Sequence, residues 1–357
     1  MSETISMACV GDVMCGDSFY NLGQGCASVI KKYKSDFLDK EIAVLFHRHD
    51  IVFGNMESPI SDHGKNSFSL RSLHMRASSE VAPLLSQWGF TVFNVANNHI
   101  LEHGRQAAIE TVEHLERQGI VVVGVGEQGF ESSIQIKKIK VRDAEIIFMA
   151  LCLKDEKYAF SGGCNTEEFL ETITKYCIYG PVIVSVHWGN EFIDRPADSI
   201  KFLGRAMIDC GATAVIGHHP HVVQGIEQYK DGLIAYSLGN FIFDSFDPEC
   251  RWSLILSLEI KHKKVCKWNY YPIMLDYEHR PCLTSGADEK QKIKEIQRRC
   301  DVLKFEQGDD YAEKVRVYEQ QNRKLMKKHL LRNVLKMSPV FWPQILLRPI
   351  QRRLGVW

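Results

Sequence analysis

Short apolar runs of strand character alternate along the first 220 residues with amphipathic helical segments. Six runs rich in β-branched residues predict strands at 5–10, 51–55, 91–96, 120–124, 182–188 and 213–218. Between them, segments such as 104–119 and 197–211 place apolar residues three and four positions apart and end at a glycine, which predicts helices. This alternation predicts an α/β fold in which helices cover the sheet faces.

Three further stretches have the pattern of hairpins, and two of them, 133–151 and 253–275, alternate apolar and polar residues with a period of two around a turn. They predict hairpins at 133–151, at 226–241 with Asp231-Gly232 as the turn, and at 253–275. The predicted sheets are therefore mixed. From about Ala287 the pattern changes to long charged helix, so we expect an α/β domain over 1–285 and a helical, basic C-terminal extension over 286–357.

Composition narrows the class of protein. The chain has 45% hydrophobic and 25% charged residues, as soluble globular proteins do. Its 44 basic and 44 acidic residues give no general attraction to nucleic acid, and we expect no nucleic-acid partner. Eleven scattered cysteines without a CxxC pair do not resemble a disulfide framework, and neither a signal peptide nor a membrane span is evident. These features predict a cytoplasmic protein.

The segment GVGEQG at 124–129 matches the GxGxxG pattern directly after a predicted strand. A dinucleotide site requires the third glycine to lead into a helix, whereas strand alternation follows here. We therefore interpret these glycines as a loop.

Polar side chains follow five of the predicted strands at the point where each strand ends. They are Asp12; Asn55 and Glu57; Asn97, Asn98 and His99; His187; and His218, His219 and His221. In open α/β sheets, ligands bind outside the carboxyl ends of strands. Carboxylates and amide oxygens combined with imidazoles suit Mn²⁺, Fe²⁺ or Zn²⁺.

Taken singly, each of these residues has a simpler explanation. Asp12 alone suits a helix cap, Asn97-Asn98 a turn, and His187 a hydrogen-bonded histidine. The convergence of five strand ends favours a joint metal site instead. His219 and His221, two positions apart on a predicted extended segment, would point both rings to the same side and either bind one ion each or flank a pair.

Six ordered blocks within about residues 5–245 resemble the capsule-synthesis CapA family, named for poly-γ-glutamate capsule synthesis. The blocks are GDVMCGD (11–17), GNMESPIS (54–61), VANNHILEHG (95–104), VSVHWGNEF (184–192), VIGHHPHVVQGIE (215–227) and AYSLGNFIFD (235–244). That family is similar to the calcineurin-like metallophosphoesterases. The resemblance implies a β-sandwich of mixed sheets flanked by helices, with two divalent metals at strand ends.

The resemblance also implies a role for each ligand type. Asp12 and His221 would bind the first metal, and Glu57 would bridge both metals. The second metal would be held by Asn98, His187 and His219. His99 would be the general acid or the donor to the transition state.

By the same resemblance, the protein would serve capsule or surface-polymer biosynthesis of the poly-γ-glutamate type. It would be a metal-dependent, phosphoesterase-like hydrolase, with manganese among the candidate metals and a metal-bridging hydroxide as nucleophile. Its substrate would be a phosphoester or an anionic polymer.

Three positions depart from the metallophosphoesterase pattern. Met14 stands where Asp-x-His would place an imidazole, Glu57 replaces the bridging aspartate, and Glu102 replaces an aspartate. The first metal would therefore lack one ligand unless another group, such as Asp17, completes it. A second hypothesis follows, a non-catalytic metal-binding scaffold of a polymer-synthesis complex. Met14 favours the scaffold, and His99 beside Asn98 favours the enzyme.

Five residues near the strand ends are candidate substrate contacts: Asn55, Arg76, Trp188, Glu191 and Asn240. Arg76 suits an anion through its planar guanidinium, and suits an exposed salt bridge equally well. Trp188 and Glu191 would reach toward substrate or simply pack and solvate their loop. Of the three clustered histidines, we expect His218 to be replaceable.

The C-terminal segment is strongly basic. Residues 321–357 carry nine Lys or Arg and no Asp or Glu, and apolar residues lie along one stripe of the predicted helix. Such a helix with terminal tryptophans is typical of an element lying on a membrane surface, here the inner face. A helix docked on the core with a solvated basic face fits the pattern equally well.

Overall fold

The computed structural model describes residues 4–125, 134–153, 166–305 and 310–353 of the 357-residue chain. Its strands are numbered in chain order: β1 Ile5–Val13, β2 Ile51–Met56, β3 Val92–Asn94, β4 Val121–Val123, β5 Ile136–Val141, β6 Ala144–Cys152, β7 Val182–His187, β8 Ala214–His218, β9 Ile226–Tyr229, β10 Gly232–Ala235, β11 Asn240–Ile242, β12 Trp252–Lys261, β13 Lys264–Leu275 and β14 Pro281–Leu283.

The α-helices are numbered in the same way: α1 Cys26–Tyr33, α2 Lys40–Phe46, α3 Leu70–Leu73, α4 Val81–Gln87, α5 Gly104–Glu116, α6 Thr166–Tyr176, α7 Asp198–Asp209, α8 Gly286–Val302, α9 Asp310–Asn333 and α10 Trp342–Arg353. The predicted strands and helices of the α/β part are all present, with ends shifted by a few residues.

The strands form two mixed sheets. The first runs β14-β13-β12-β1-β2-β3-β4, with β11 also paired to β1, and the second runs β5-β6-β7-β8-β10-β9. Strand β1 is parallel to β2 and antiparallel to β12. In the second sheet β6, β7, β8 and β10 are parallel, and the outer strands β5 and β9 are antiparallel. This topology confirms the predicted mixed α/β architecture.

The two sheets pack face to face around one core. Phe53 of β2 stacks on Phe148 of β6 with ring centroids 5.6 Å apart. A second apolar cluster includes Val184 of β7, Phe169 of α6 and Met207 of α7, so these helices cover the second sheet. Strands buried on both faces explain the near-continuous apolar runs in the sequence. Several of the polar side chains of these strands lie at their carboxyl ends, among them Asp12, Asn55 and His187.

The predicted turn of the 226–241 hairpin is wrong by one residue. Gly232 already belongs to β10 and pairs with Tyr229, so Lys230 and Asp231 form the turn, and Lys230 takes the positive φ of 51°. A Cβ at Gly232 would lie 2.6 Å from Ile208 Cδ1 of α7. The glycine therefore serves helix packing rather than turn geometry. The loop interpretation of GVGEQG falls largely on residues 126–133, which lie outside the described residues.

The C-terminal helices contact the α/β part at several points. Arg299 of α8 is buried and donates to the Val223 carbonyl, and Phe341 packs in a cluster with Phe19 and Leu70. On α9, Leu331 is 73% exposed. Within the described ranges, no helix has the length and apolar character needed to cross a bilayer. Docking of the extension is thus observed, and membrane-surface binding stays a prediction.

Candidate metal centre

The carboxyl ends of β1, β2, β7 and β8 bring the predicted ligands to one place. Asp12 lies opposite Asn55 in the pairing of β1 with β2, and His187 lies opposite His218 in the pairing of β7 with β8. A Cβ at Gly11 would lie 1.8 Å from the Gly239 carbonyl oxygen, to which the Asp12 amide donates at 2.9 Å. Only a glycine before Asp12 allows this close approach of β1 to the loop before β11.

Two groups of ligand atoms share Glu57. Atoms of Glu57, His187 and His219 lie within 4.8 Å of one another, and so do atoms of Asp12, Glu57 and His221. Asn98 Oδ1 lies 2.7 Å from His187 Nε2, beside the first group. The six residues assigned to metal from the sequence therefore meet, with Glu57 common to both groups.

The Glu57 carboxylate provides the test of whether a cation fits. Both of its oxygens are buried and have no hydrogen-bond partner among the described residues. Oε1 lies 3.6 Å from His221 Nε2, 3.8 Å from His187 Nε2 and 3.9 Å from His99 Nε2. Burying a carboxylate without hydrogen bonds costs several kcal/mol. Divalent cations held between these oxygens and imidazoles would remove that cost, so the donor set fits them.

His219 and His221 both reach the site, but the reason predicted from the sequence, side-chain alternation along an extended segment, is wrong. Strand β8 ends at His218, and the next residues are not extended, with φ of 96° at His219 and 59° at His221. Side-chain alternation along a strand therefore does not align them. Their ring centroids nevertheless lie 5.9 Å apart. Positive φ in non-glycine residues is strained backbone of the kind that clusters at functional sites.

Asp12 is surrounded by imidazoles and amides. Its Oδ1 accepts from Asn55 Nδ2 at 2.9 Å and lies 3.2 Å from His218 Nδ1, and its Oδ2 lies 3.3 Å from His221 Nδ1. Burial raises the pKa of Asp12, but the contacts with His218 and His221 outweigh burial and hold that pKa well below its usual value. Asp12 is therefore a carboxylate across the physiological range.

Charge at the other ligands is set by the same buried environment. Burial and the negative charge of Asp12 raise the pKa of Glu57 well above its usual value. Burial lowers the pKa of His187 well below its usual value, so its imidazole is neutral and able to bind metal. Burial also lowers the pKa of His221, but the charges of Glu57 and Asp12 raise it to about 10. Without cations, a proton on His221 is the main positive charge facing the two carboxylates.

His99 lies at the edge of the centre with its side chain 23% exposed. Its Nδ1 is 2.9 Å from Glu102 Oε2, which leaves Nε2 toward Glu57. Burial raises the pKa of Glu102, but the hydrogen bond with His99 and the charge of His74 lower it to about 2. Glu102 is thus a permanent acceptor that orients the His99 ring. The replacement of aspartate by glutamate at 102 preserves this contact.

Of the predicted substrate contacts, three lie at the centre. Asn55 donates to Asp12, and Asn240 Oδ1 lies 2.9 Å from His221 Nδ1. Both asparagines are fully buried, which suits them to orienting metal ligands rather than to meeting substrate. Glu191 is exposed and forms a further group of potential ligand atoms with His219 and His221.

The other two lie elsewhere. Trp188 is fully buried, stacks on Tyr236 and donates from its indole to the Tyr236 carbonyl at 2.9 Å. Arg76 is buried to 6% exposure and donates to the His63 carbonyl at 2.9 Å. It lines a separate cavity with Lys31, Lys34 and Lys65. Neither placement supports a substrate contact at the metal centre.

Asp17 does not complete the first metal position. Its carboxylate accepts from the Gly23 amide at 2.8 Å and from the Ser28 hydroxyl at 2.7 Å, and it joins none of the potential ligand groups in the described residues. Met14, where an imidazole would stand, is a fully buried apolar side chain. The Asp12 group therefore offers one imidazole fewer than the metallophosphoesterase pattern.

Two asparagines that support the centre were assigned no separate role from the sequence. Asn94 Nδ2 donates to Asn55 Oδ1 at 3.0 Å, and Asn97 Oδ1 accepts from the His99 and Ile100 amides at 3.1 Å. Together they hold Asn55 and shape the turn that presents Asn98 and His99. The available signal was an asparagine inside the apolar run TVFNVA, since a buried amide must be hydrogen-bonded.

The family model described as "Bacterial capsule synthesis protein PGA_cap" matches residues 6–245, which include every residue of the metal centre. The chain belongs to this family. Among curated relatives, the PGA biosynthesis protein CapA of Bacillus subtilis (strain 168) is 29% identical, with 81% of this chain and 76% of the relative covered. The capsule biosynthesis protein CapA of Bacillus anthracis is 26% identical, with 83% and 73% covered.

Family membership is accompanied by weaker similarity to solved structures. A phosphatase from Mycoplasma pneumoniae aligns with a TM-score of 0.47 at 14% identity, covering 77% of this chain and 95% of that one. A 5'-nucleotidase from Candida albicans aligns with a TM-score of 0.40 at 11% identity, covering 84% and 58%. The family match ends at residue 245, so the C-terminal helices of this capsule-synthesis family member lie outside it.

Proposed function

We propose that this member of the capsule-synthesis family is a dinuclear metal-dependent hydrolase of the phosphoesterase type that acts in surface-polymer biosynthesis. The observation that carries the proposal is the Glu57 carboxylate, buried without hydrogen-bond partners and shared by two groups of ligand atoms. Burial of an acidic side chain costs stability, so packing alone does not explain why Glu57 lies there. Two divalent cations, for which Mn²⁺, Fe²⁺ and Zn²⁺ are candidates, would supply positive charge that acidifies water and stabilises developing negative charge.

The other roles in the proposed reaction are carried out by side chains of the protein. Neutral His187 and ionised Asp12 are in the protonation states that metal binding needs. His99, oriented through Nδ1 by Glu102, presents Nε2 on the Glu57 side of the centre. A protonated Nε2 would donate its proton to the leaving oxygen of the substrate. Its partial exposure allows the ring to exchange protons with solvent between turnovers.

The test combines metal content with turnover in the same preparation. Purified protein loaded with Mn²⁺ should bind close to two ions by mass spectrometry of the metal and should hydrolyse bis(p-nitrophenyl) phosphate or p-nitrophenyl phosphate. His99→Gln should lower kcat by about 10²–10⁴-fold, as loss of a general acid does, without loss of metal. His63→Gln, an exposed histidine away from the centre, is the matched control. Absence of bound metal in the unmodified protein would contradict the proposal.

A second candidate function is a metal-binding scaffold without turnover. The favouring observation is Met14, a fully buried apolar side chain where an imidazole ligand would stand. A scaffold would bind metal and show no His99-sensitive hydrolysis of either substrate. The two candidates therefore differ in the kinetic result alone, with metal content common to both.

A further inference from the structure

Helix α9 forms one wall of the cavity that opens onto the metal centre. A cavity of about 520 Å³ is lined by Asn98 and His219 on the side of the centre. On the side of α9, the lining includes Glu319, Asn322, Arg323 and Met326. Because these residues lie three, four and seven positions apart, they occupy one face of the helix. The C-terminal extension thus contributes side chains to the space in which a substrate would lie.

Specific contacts hold α9 in this position. Tyr318 stacks on Phe192 with centroids 5.5 Å apart and hydrogen-bonds Asp247 through its hydroxyl. Phe192 in turn lies 5.8 Å from the ring of His221. One turn before the end of α9, His329 stacks on Phe246 at 4.7 Å. Contacts both before and after the cavity-lining turn fix its position along the centre.

Two adjacent polar side chains of this wall have no partner within the described chain. Asn322 is only 8% exposed, yet its amide makes no hydrogen bond to any described residue. Arg323 is exposed, and its guanidinium makes no hydrogen bond or ion pair with the described residues. Most other buried amides in this protein are satisfied, as those of Asn55, Asn94 and Asn97 show. Asn322 and Arg323 thus present an amide and a guanidinium side by side to the cavity, where a ligand group can hydrogen-bond both.

We propose that Arg323 and Asn322 form an anion subsite that holds a substrate group remote from the metals. The guanidinium would bind a carboxylate or phosphate through two parallel hydrogen bonds, and the Asn322 amide would hydrogen-bond the adjoining polar atoms. Glu319 and Glu191, which line the same cavity, repel negative charge beside them, so anionic groups of a ligand are favoured only at Arg323 and at the metals. The subsite therefore selects a ligand with separated anionic groups, one at the metals and one at Arg323. This inference rests on the proposed function for the placement of the first group.

The experiment measures binding rather than turnover, with the full-length, Mn²⁺-loaded protein and isothermal titration calorimetry. A γ-linked triglutamate peptide and propane-1,3-diyl bisphosphate serve as carboxylate and phosphate probes with separated charges. Arg323→Ala should weaken binding of one or both probes by at least about tenfold, while Arg323→Lys should retain part of the affinity because its charge remains. The probe that responds more strongly identifies the anion. Asn322→Ala should weaken the same probe by a smaller factor.

Arg332→Ala is the matched control, since Arg332 is exposed on the same helix and does not line the cavity. It should leave both affinities unchanged. Equal affinities of the Arg323→Ala and unmodified proteins for both probes, or no binding of either probe by the unmodified protein, would overturn the subsite. Metal content of each variant is measured alongside. Loss of metal from the unmodified protein contradicts the proposed function, whereas unaltered metal with unaltered probe affinity contradicts only the subsite.

Discussion

Two pairs of buried carboxyl groups lie close to the end of β1, and their surroundings differ in one respect. Asp12 and Glu57 are surrounded by imidazoles, and together these groups offer oxygen and nitrogen ligands to a cation. Asp17 and Asp244 are also buried, at 5% and 2% exposure, but neither has an ion pair in the part of the chain that the structure describes. The first pair has the mixed donor set that a metal site needs, whereas the second pair has only the cost of burying two carboxyl groups.

The second pair is positioned by Gly25. A Cβ at Gly25 would lie 2.1 Å from Asp244 Oδ2 and 2.8 Å from Asp17 Oδ1, so both carboxyls face the same glycine. Asp17 is satisfied by Gly23 and Ser28, whereas Asp244 Oδ1 has no hydrogen-bond partner. Burial and the charge of Asp17 raise the pKa of Asp244 well above its usual value. The second pair therefore lacks the combination of carboxylate and imidazole ligands that suits Mn²⁺, Fe²⁺ or Zn²⁺.

The largest effect should come from removing the shared carboxylate of the first pair. Glu57→Gln should abolish most metal binding, and with it the stabilisation by metal, which is about 2.7 kcal/mol at a metal concentration 100 times Kd. In metal-free protein the sign should reverse, because the variant no longer buries an acidic group whose oxygens have no hydrogen-bond partner among the described residues. Metal analysis and thermal unfolding with and without Mn²⁺ measure both effects.

Asp17→Asn is the matched control for Glu57→Gln, since it neutralises a buried carboxyl of the other pair. It should retain full metal content. Equal metal binding by Glu57→Gln and the unmodified protein would remove the distinction between the two pairs.

A smaller effect should follow from His218, which contacts the first pair without joining either ligand group that contains Glu57. The His218 ring is buried, and its Nδ1 lies 3.2 Å from Asp12 Oδ1. The expectation that His218 is replaceable did not take this contact into account. His218→Asn should keep the metal count but weaken metal affinity by about 10–100-fold, as loss of groups that orient ligands does. Titration of metal-free protein with Mn²⁺ measures it, with His114→Asn as control. Unchanged affinity would restore the original expectation for His218.

Neutralising Asp244 of the second pair should raise the stability of the protein, whereas neutralising Glu57 of the first pair should lower the stability of the metal-loaded protein. Asp244→Asn keeps an oxygen to accept from the Ser18 amide, now bonded at 2.7 Å, and removes a buried charge. The free energy of unfolding at pH 7.5 should rise by about 1–3 kcal/mol, the usual cost of an unsatisfied buried group. Urea unfolding measures it, and Asp143→Asn, at an exposed turn, should have no effect. A fall in stability would show that Asp244 has a partner required for folding.

The pH dependence of stability gives the finest separation. Because the pKa of Asp244 is raised in the folded state, the folded protein holds its proton to higher pH than the unfolded chain, whose pKa is about 3.9. The contribution of Asp244 is therefore most favourable below about pH 4 and declines as pH rises toward the folded pKa. Asp244→Asn should remove this decline from the unfolding free energies measured between pH 4 and 8. If the unfolding free energies of both proteins change equally with pH, a group other than Asp244 takes up the proton.

The elements of the α/β part were predictable because their signals are local. Buried strands are continuous apolar runs, and the ligand residues follow them directly, so Asp12, Glu57 and His187 could be named from position alone. Local patterns failed where tertiary packing set the role of a residue. Gly232 serves packing on α7 rather than the turn, and the full burial of Trp188 agrees with packing, one of the two roles left open for it.

Strand periodicity, order and ligand chemistry were determined by the sequence itself, because each depends on residues close together in the chain. Tertiary structure alone decided which carboxyl pair faces imidazoles, that His219 and His221 reach the centre through left-handed backbone, and that α9 lines the cavity. Asp244 lies more than 200 residues from Asp17, and Arg323 lies 104 residues after His219. Charge and burial at such positions depend on distances through space, which no local pattern along the chain encodes.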